Sequence, residues 1–136
     1  MRTLAQILEE YEFLDADERY RLLIELGREL DEMPQALKTE ATLVRGCSAS
    51  VWVYPTEQGG TLHFLADSNA AITKGVVALV LAAVQDKPAA EVAEMDVTQS
   101  LEPFHLAKHL SANRTQGVPN MIALVKQTAQ RYAAAA

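Results

Sequence analysis

The sequence predicts an α+β fold in which a small three-stranded antiparallel sheet is covered by helices. Three short runs between residues 41 and 66 are rich in β-branched and aromatic residues, which favour strands. Helical patterns, with apolar residues three or four positions apart, lie before and after these runs. Because three strands alone bury too little apolar surface to be stable, the flanking helices are expected to cover the sheet.

Two helices are predicted before the sheet. Apolar residues at helical spacing, with glutamates between them, predict a helix over residues 3–13. Asp15 followed by Glu18 has the pattern of a capping box, which opens a second helix. Gly27 is expected near the end of that helix, and Pro34 interrupts the helical pattern before the sheet begins.

The predicted strands are short and are joined by turns. They span residues 41–45, 50–55 and 61–66. The sequence Glu-Gln-Gly-Gly at 57–60 predicts the turn between the second and third strands. Since side chains alternate along a strand, Val51 and Val53 are expected on one face of the middle strand, and Trp52 and Tyr54 on the other.

The helix after the sheet is predicted to form the centre of the core, because it is apolar around much of its circumference. Asp67 or Ser68 is expected to cap it. Gly75 within it costs about 1 kcal/mol of helix propensity relative to alanine, which indicates a close packing contact at that position. Three further helices are predicted at residues 88–95, 99–108 and 117–132.

Composition limits the class of protein. A chain of 136 residues with 49% hydrophobic content fits one globular domain, residues 1–136. A single cysteine cannot form an internal disulfide, so nothing suggests an oxidising compartment. The longest apolar run, 76–84, is far shorter than the roughly twenty residues that span a bilayer. The first residues resemble neither a signal nor a transit peptide, and we expect a cytoplasmic protein that does not bind membranes.

Charge and ligand counts exclude other classes. The net charge of −6 argues against nucleic-acid binding, which depends on clustered lysine and arginine. The excess of acid lies in residues 1–32, which carry four basic and ten acidic side chains. This region is either a solvated helical face or a docking patch. One cysteine and three scattered histidines are too few for a structural zinc or iron–sulfur site, so we expect no bound cofactor.

The only cysteine, Cys47, lies in the small polar segment 46–50, between two strand-like runs. A single cysteine usually behaves as a small apolar residue in a core. Its neighbours here instead predict the tip of a hairpin, where Gly46 supplies the positive φ that such a turn often needs. A thiol at a tip can be presented to a partner and retracted without moving the scaffold, which suits a carrier.

Several short motifs follow one another along most of the chain. They are Gly46-Cys47 with Val51-Trp52, Ala66-Asp67-Ser68 with Lys74-Gly75, and His109-Leu110-Ser111 with Arg114 and Gly117. These motifs resemble those of the SufE family of sulfur acceptors. The resemblance implies a fold like that of the IscU-type iron–sulfur scaffold proteins. It also implies a protein that stimulates a pyridoxal-phosphate cysteine desulfurase of the SufS or CsdA type. Such a protein takes persulfide sulfur from the desulfurase on Cys47 and passes it to iron–sulfur cluster assembly or another acceptor.

The resemblance also implies supporting residues around the thiol. Gly46 belongs to the turn, and Arg114 is expected to anchor the cysteine loop, to contact the desulfurase or to bond a helix end. His109 is expected to fix local structure, and Asp67 to support the loop or the partner, with helix capping as its alternative. Arg45, two positions before the thiol, is expected to be a solvated residue at a strand end.

The state of the thiol decides how transfer would start. In thiol–disulfide chemistry the thiolate attacks, and a free thiol with a pKa of about 8.5 is mostly protonated at neutral pH. We expect Cys47 to rest protonated under apolar side chains, because burial raises a thiol pKa and shields a persulfide. Activation would then occur inside the desulfurase, after the loop has turned outward.

Two other functions stay open. The first is a cysteine-dependent thioester or ester hydrolase, in which His63, His105 or His109 would act as the base. The second is a scaffold-like interaction module whose cysteine is inert. The first requires turnover of a substrate by the isolated protein, and the second requires that partner stimulation survive the replacement of Cys47.

Overall fold

The computed structural model describes residues 2–110, 115 and 117–135. Two helices precede a hairpin, and a third helix follows it and leads to a cluster of shorter elements and a last helix. The elements are α1 Leu4–Tyr11, α2 Ala16–Arg28, β1 Val51–Gln58, β2 Thr61–Ser68, α3 Ala71–Val84, β3 Lys87–Pro88, α4 Ala89–Glu94, α5 Val97–Leu101, α6 Leu106–His109 and α7 Val118–Ala135, with 3-10 turns at Gln35–Leu37 and Glu102–Phe104. The predicted α+β class and the three-stranded antiparallel sheet are confirmed.

The second helix begins where the capping pattern predicts. The Glu18 backbone amide donates to the Asp15 carboxylate at 2.8 Å, and the Asp15 amide donates to the Glu18 carboxylate at 3.2 Å. The helix continues to Arg28, so the expectation that Gly27 lies near its end is confirmed. Gly27 also has a packing role that the sequence did not indicate. A Cβ at Gly27 would lie 3.0 Å from the Gly75 nitrogen in α3.

The close contact predicted at Gly75 is confirmed. A Cβ at this position would lie 2.1 Å from the Leu23 carbonyl oxygen in α2, a separation that real side chains do not adopt. The two glycines therefore allow α2 and α3 to approach backbone to backbone, and Gly75 offsets its low helix propensity through this packing. α2 packs on α3, which in turn packs against β2, and Leu23, Leu26 and most of α3 are buried.

The sheet differs from the prediction in its third strand. β1 and β2 pair antiparallel from Val51–Ser68 to Gln58–Thr61, and β2 then pairs with Lys87–Pro88 as β3. The predicted strand 41–45 is wrong, because only an isolated bridge joins Leu43 to Trp52. The physical reason is a side-chain turn in which the Thr42 hydroxyl donates to the Leu37 carbonyl at 2.6 Å and competes with strand pairing.

The sheet has one buried and one solvated face. Val51 and Val53 point into the core, as the alternation predicts, with 2% and 5% of their surface exposed. On the opposite face Tyr54 is 37% exposed and Trp52 is partly buried. The helices therefore pack against the valine face, and α3 supplies most of the apolar surface opposite it. The start of β1 on this buried face is also the end of the cysteine segment.

Candidate functional site

Cys47 lies in the segment 45–50, which we call the cysteine loop. Its base is closed by a hydrogen bond from the Val44 amide to the Val51 carbonyl at 2.8 Å. Gly46 has φ = +84°, which confirms the positive φ predicted for it. The residues on either side of the loop therefore pair antiparallel, as they do at the tip of a hairpin. Cys47 is partly buried at this tip and packs against the hydrophobic core.

A small apolar cavity lies beneath the cysteine loop. Its free volume is about 20 Å³, and Cys47 forms part of its wall. The apolar side chains around it come from β1, α3 and α7, and include Val51, Val76, Val77, Val80, Val118 and Met121. A site needs about 10–15 Å³ to hold one water molecule, so this cavity accommodates roughly one additional atom of that size.

The sulfur atom is in close contact with the residue that precedes α7. A Cβ at Gly117 would lie 2.1 Å from Cys47 Sγ and 2.9 Å from Cys47 Cβ. Only glycine leaves room for the side chain of Cys47 in this position. The Cys47 side chain therefore rests directly against Gly117, the glycine of the predicted motif.

Burial has a direct effect on the thiol. Desolvation raises the pKa of Cys47 above that of an exposed cysteine, because the apolar surroundings disfavour the thiolate. Arg45 is exposed. The Cys47 thiol is therefore protonated at neutral pH in this partly buried position.

Two asparagines that the sequence reasoning missed hold the ends of the cysteine loop. At one end, the Ser50 amide donates to the Asn69 side-chain oxygen at 3.1 Å, and the Asn69 amide donates to the Ser50 carbonyl at 3.3 Å. At the other end, Asn120 Nδ2 donates to the Arg45 carbonyl at 3.0 Å. Asn69 directly follows the Ala66-Asp67-Ser68 motif, whereas no local pattern distinguishes Asn120 from other polar residues on a helix.

Asp67 does not cap α3. The helix begins after Ala70, which makes no side-chain capping bond, and the Ala70 amide instead donates to the Ser68 hydroxyl at 3.3 Å. The Asp67 carboxylate, 15% exposed, forms ion pairs with Lys38 Nζ at 2.5 Å and with Lys74 Nζ at 3.1 Å. It therefore ties the segment before the cysteine loop to the first turn of α3.

The ion pairs also change the titration of Asp67. Burial alone would raise the pKa of its carboxyl, but hydrogen bonds from Lys38, from Lys74 and from the Ser68 amide outweigh burial and lower it. Lys38 Nζ also lies 5.7 Å from the centre of the Trp52 ring, which links this cluster to the solvated face of β1. Because Asp67 pairs with Trp52 across β1 and β2, the cluster supports the strand that follows the cysteine loop.

Replacing Asp67 by asparagine is expected to lower the free energy of unfolding by about 2 kcal/mol at pH 7, since two partly buried ammonium groups lose their carboxylate. The lowered pKa means that this contribution is present above the ordinary aspartate pKa and is lost as pH falls through the folded value. The difference between the two proteins, measured by urea unfolding, should therefore shrink below about pH 4. Glu40→Gln, an exposed change in the same segment, is the control, and a difference independent of pH would contradict the assignment.

The remaining predicted residues are only partly described. Arg114 lies outside the described residues, and for His109 the structure describes the end of α6 but not the side chain. His63 contacts Asp86 at 2.7 Å and Asp31 at 3.3 Å through its two ring nitrogens. At about 3.3 Å per residue, it lies roughly 16 Å along β2 from Ser68, where the strand meets the cysteine loop. His63 is therefore not a base for the thiol.

Within residues 2–110, 115 and 117–135, no three histidine, cysteine or acidic side chains are grouped in a way that could hold a metal ion. In the same part of the chain, no helix has the length and apolar character needed to cross a membrane.

Fold and site together define a small α+β protein with a single thiol, held on a loop over an apolar cavity. Residues 5–129 match the family model described as SufE, an Fe-S metabolism associated domain. The chain therefore belongs to the SufE family, and the resemblance noted in its motifs is confirmed.

Relatives of known sequence support this assignment, and a solved structure shares the fold. An uncharacterized SufE-like protein of Rhizobium meliloti (strain 1021) is 37% identical over 135 residues, 96% of each chain. The sulfur acceptor protein CsdE of Escherichia coli (strain K12) is 37% identical over 103 residues, 75% of this chain and 70% of that protein. The solution structure of a hypothetical protein from Thermus thermophilus has the same fold, with a TM-score of 0.78, 17% identity and 96% coverage of both chains.

Proposed function

We propose that this protein accepts sulfur as a persulfide on Cys47 from a pyridoxal-phosphate cysteine desulfurase of the SufS or CsdA type. It would stimulate that enzyme and pass the sulfur to an iron–sulfur scaffold or another acceptor. The observation that carries the proposal is the single thiol of the chain, held on a loop above an apolar cavity with room for about one more atom. Membership of a family associated with Fe-S metabolism, and similarity to a protein named as a sulfur acceptor, support it.

The proposed transfer needs no oxidant or reductant. The Cys47 thiolate attacks the outer sulfur of the persulfide on a desulfurase cysteine, and a new S–S bond forms as the donor S–S bond breaks. The donor cysteine leaves as a thiolate and takes up the proton that Cys47 released. The products are a persulfide on Cys47 and a free thiol on the desulfurase, ready for another cycle.

The partly buried position of the thiol supports a cycle in which this protein covers the sulfur and the desulfurase active site is where sulfur is received. At rest the raised pKa keeps Cys47 protonated, so stray electrophiles and disulfides react slowly with it. In the proposed cycle the loop turns outward to receive sulfur in the desulfurase active site and then returns. The outer sulfur would then occupy the cavity beneath the loop, where apolar side chains exclude soluble reductants.

Other parts of the proposal rest on the family resemblance. Gly46 would support the turn of the loop, Arg114 would anchor the loop, contact the desulfurase or bond a helix end, and His109 would fix the local structure of its motif. Asp67 would support the loop through Lys38 and Lys74. A single domain over residues 1–136 and a cytoplasmic location stay predictions of the sequence.

The test is to incubate the protein with a cysteine desulfurase and free cysteine, and to measure its intact mass under non-reducing conditions. One added sulfur atom is expected, removable by reductant, and absent when either the desulfurase or cysteine is omitted. Failure to gain sulfur with desulfurases of both types would contradict the proposal. In that case, turnover of thioester and ester substrates by the isolated protein would test the hydrolase alternative.

A further inference from the structure

The cysteine loop is seated on one face of the last helix through two neighbouring contacts. Gly117, just before α7, touches the Cys47 side chain, and Asn120 in the first turn of α7 bonds the Arg45 carbonyl. The Met121 amide donates to the Gly117 carbonyl at 3.0 Å, so Gly117 lies at the start of the helix, on the same side as Asn120 three positions later. The first contact involves the thiol itself, whereas the second holds the backbone that leads into it.

The contact between Asn120 and the loop has two components. Besides donating to the Arg45 carbonyl at 3.0 Å, the Asn120 amide lies against Gly46 so closely that a Cβ there would be 2.2 Å from Nδ2. Gly46 also has φ = +84°, a conformation that favours glycine. The bond is thus made to the residue beside the most adaptable point of the loop, where a change of backbone angle would swing Cys47 away from α7.

The hydrogen bond from Asn120 to the Arg45 carbonyl is of a kind that can open and close reversibly. The bond joins two neutral groups and lies at the surface, at the edge of an open groove between the loop and α7 that also includes Leu124 and Gln127. Water can therefore replace either partner when the bond opens. Such a bond contributes modestly to an equilibrium instead of locking it, so its loss should change the fraction of open loop without unfolding the protein.

We propose that Asn120 is a positioning residue that holds the cysteine loop retracted, so that release of the Arg45 carbonyl accompanies presentation of Cys47. The link to presentation of Cys47 rests on the proposed function, whereas the positioning role of Asn120 concerns the isolated protein alone. The side chain of Asn120 acts through the loop backbone and does not touch the sulfur donor in this scheme. Its removal shifts the loop toward the outward position.

The experiment measures alkylation of Cys47 by iodoacetamide in the isolated folded protein, without any desulfurase. Asn120→Ala should increase the rate about three- to tenfold, the change expected when one hydrogen bond of this kind is lost. Asn120→Asp keeps the shape of the side chain but has no amide donor, and it should accelerate alkylation at least as much. Gln127→Ala changes an exposed residue of the same helix and groove and should leave the rate unchanged.

Two readouts separate loop release from general destabilisation. In the Asn120 variants the midpoint of the alkylation pH profile should move to lower pH, because the thiol spends more time in water. The acceleration should also persist at urea concentrations too low to unfold the protein and should not grow with urea, as expected for local opening. An unchanged rate in Asn120→Ala, a wild-type rate in Asn120→Asp, or equal acceleration in Gln127→Ala would each overturn the assignment.

The outcome is independent of the sulfur-acceptor proposal. The protein could fail to gain sulfur from any desulfurase while Asn120→Ala still showed faster alkylation. That result would support the positioning role and contradict the proposed function. Conversely, normal persulfide formation together with an unchanged alkylation rate would remove the positioning role and leave the function in place. If both hold, the persulfide on Asn120→Ala should be reduced faster by free thiols than the persulfide on the unmodified protein.

Discussion

Replacing Cys47 by serine is expected to abolish sulfur acceptance and the stimulation of desulfurase turnover that depends on it. Serine is close to cysteine in size, so the loop and its contacts with Gly117 should be kept, but an oxygen nucleophile cannot carry a persulfide. Since Cys47 is the only cysteine in the chain, no second thiol can replace it. Intact mass and the rate of alanine release by the desulfurase are the two measurements.

The matched control is Ser48→Ala, which alters the same loop and leaves the thiol in place. It should accept sulfur. Full stimulation by Cys47→Ser would contradict the carrier model, because it would mean that docking alone activates the desulfurase. That result would favour the interaction module with an inert cysteine. If Cys47→Ser loses both sulfur acceptance and desulfurase stimulation while Ser48→Ala keeps them, both effects depend on the sulfur atom of Cys47.

Replacing Gly117 by alanine is expected to drive the thiol out of its resting position. The added methyl would lie 2.1 Å from Cys47 Sγ and 2.9 Å from its Cβ, so a rotamer change alone does not relieve the overlap and the loop backbone must shift. We expect this shift to move the thiol toward water, because Gly117 lies on its buried side. Burial raises the pKa of Cys47, so its loss should lower that pKa toward the value of an exposed cysteine. The rate of alkylation at neutral pH should rise on the order of tenfold to a hundredfold.

This prediction is checked by the pH profile of iodoacetamide alkylation, whose midpoint should fall in Gly117→Ala. Gly59→Ala serves as the control, because it makes the same chemical change at φ = +61° in the β1–β2 turn, where no atom lies within 4 Å of the new methyl. It tests whether mild strain elsewhere exposes the thiol. An unaltered profile in Gly117→Ala would show that the thiol does not depend on this contact for its cover.

Local patterns were sufficient for much of the fold. The capping box at Asp15, the positive φ of Gly46 and the close contact at Gly75 each follow from a rule that involves a few neighbouring residues. The alternation along β1 also placed its valines correctly. Such features are decided by backbone sterics and periodicity, which the sequence carries directly.

Features that depend on distant partners were not predictable in the same way. Asp67 precedes a helix and has the type of side chain that caps one, but Lys38 and Lys74 compete successfully for its carboxylate. A third strand of only two residues, Lys87–Pro88, gives too short a pattern to recognise. The bond from Asn120 to Arg45 spans 75 positions of sequence, and an exposed helical asparagine gives no sign of it.

The space beneath the thiol limits what a retracted loop can carry. A volume of about 20 Å³ is close to one small atom and far below a tripeptide or a chain of several sulfurs. The loop can therefore close over a single-atom cargo, but an adduct such as a mixed disulfide with glutathione would prop it open. Under the proposed function, a persulfide on Cys47 would therefore be covered, whereas bulkier adducts of the same thiol would stay exposed to solvent.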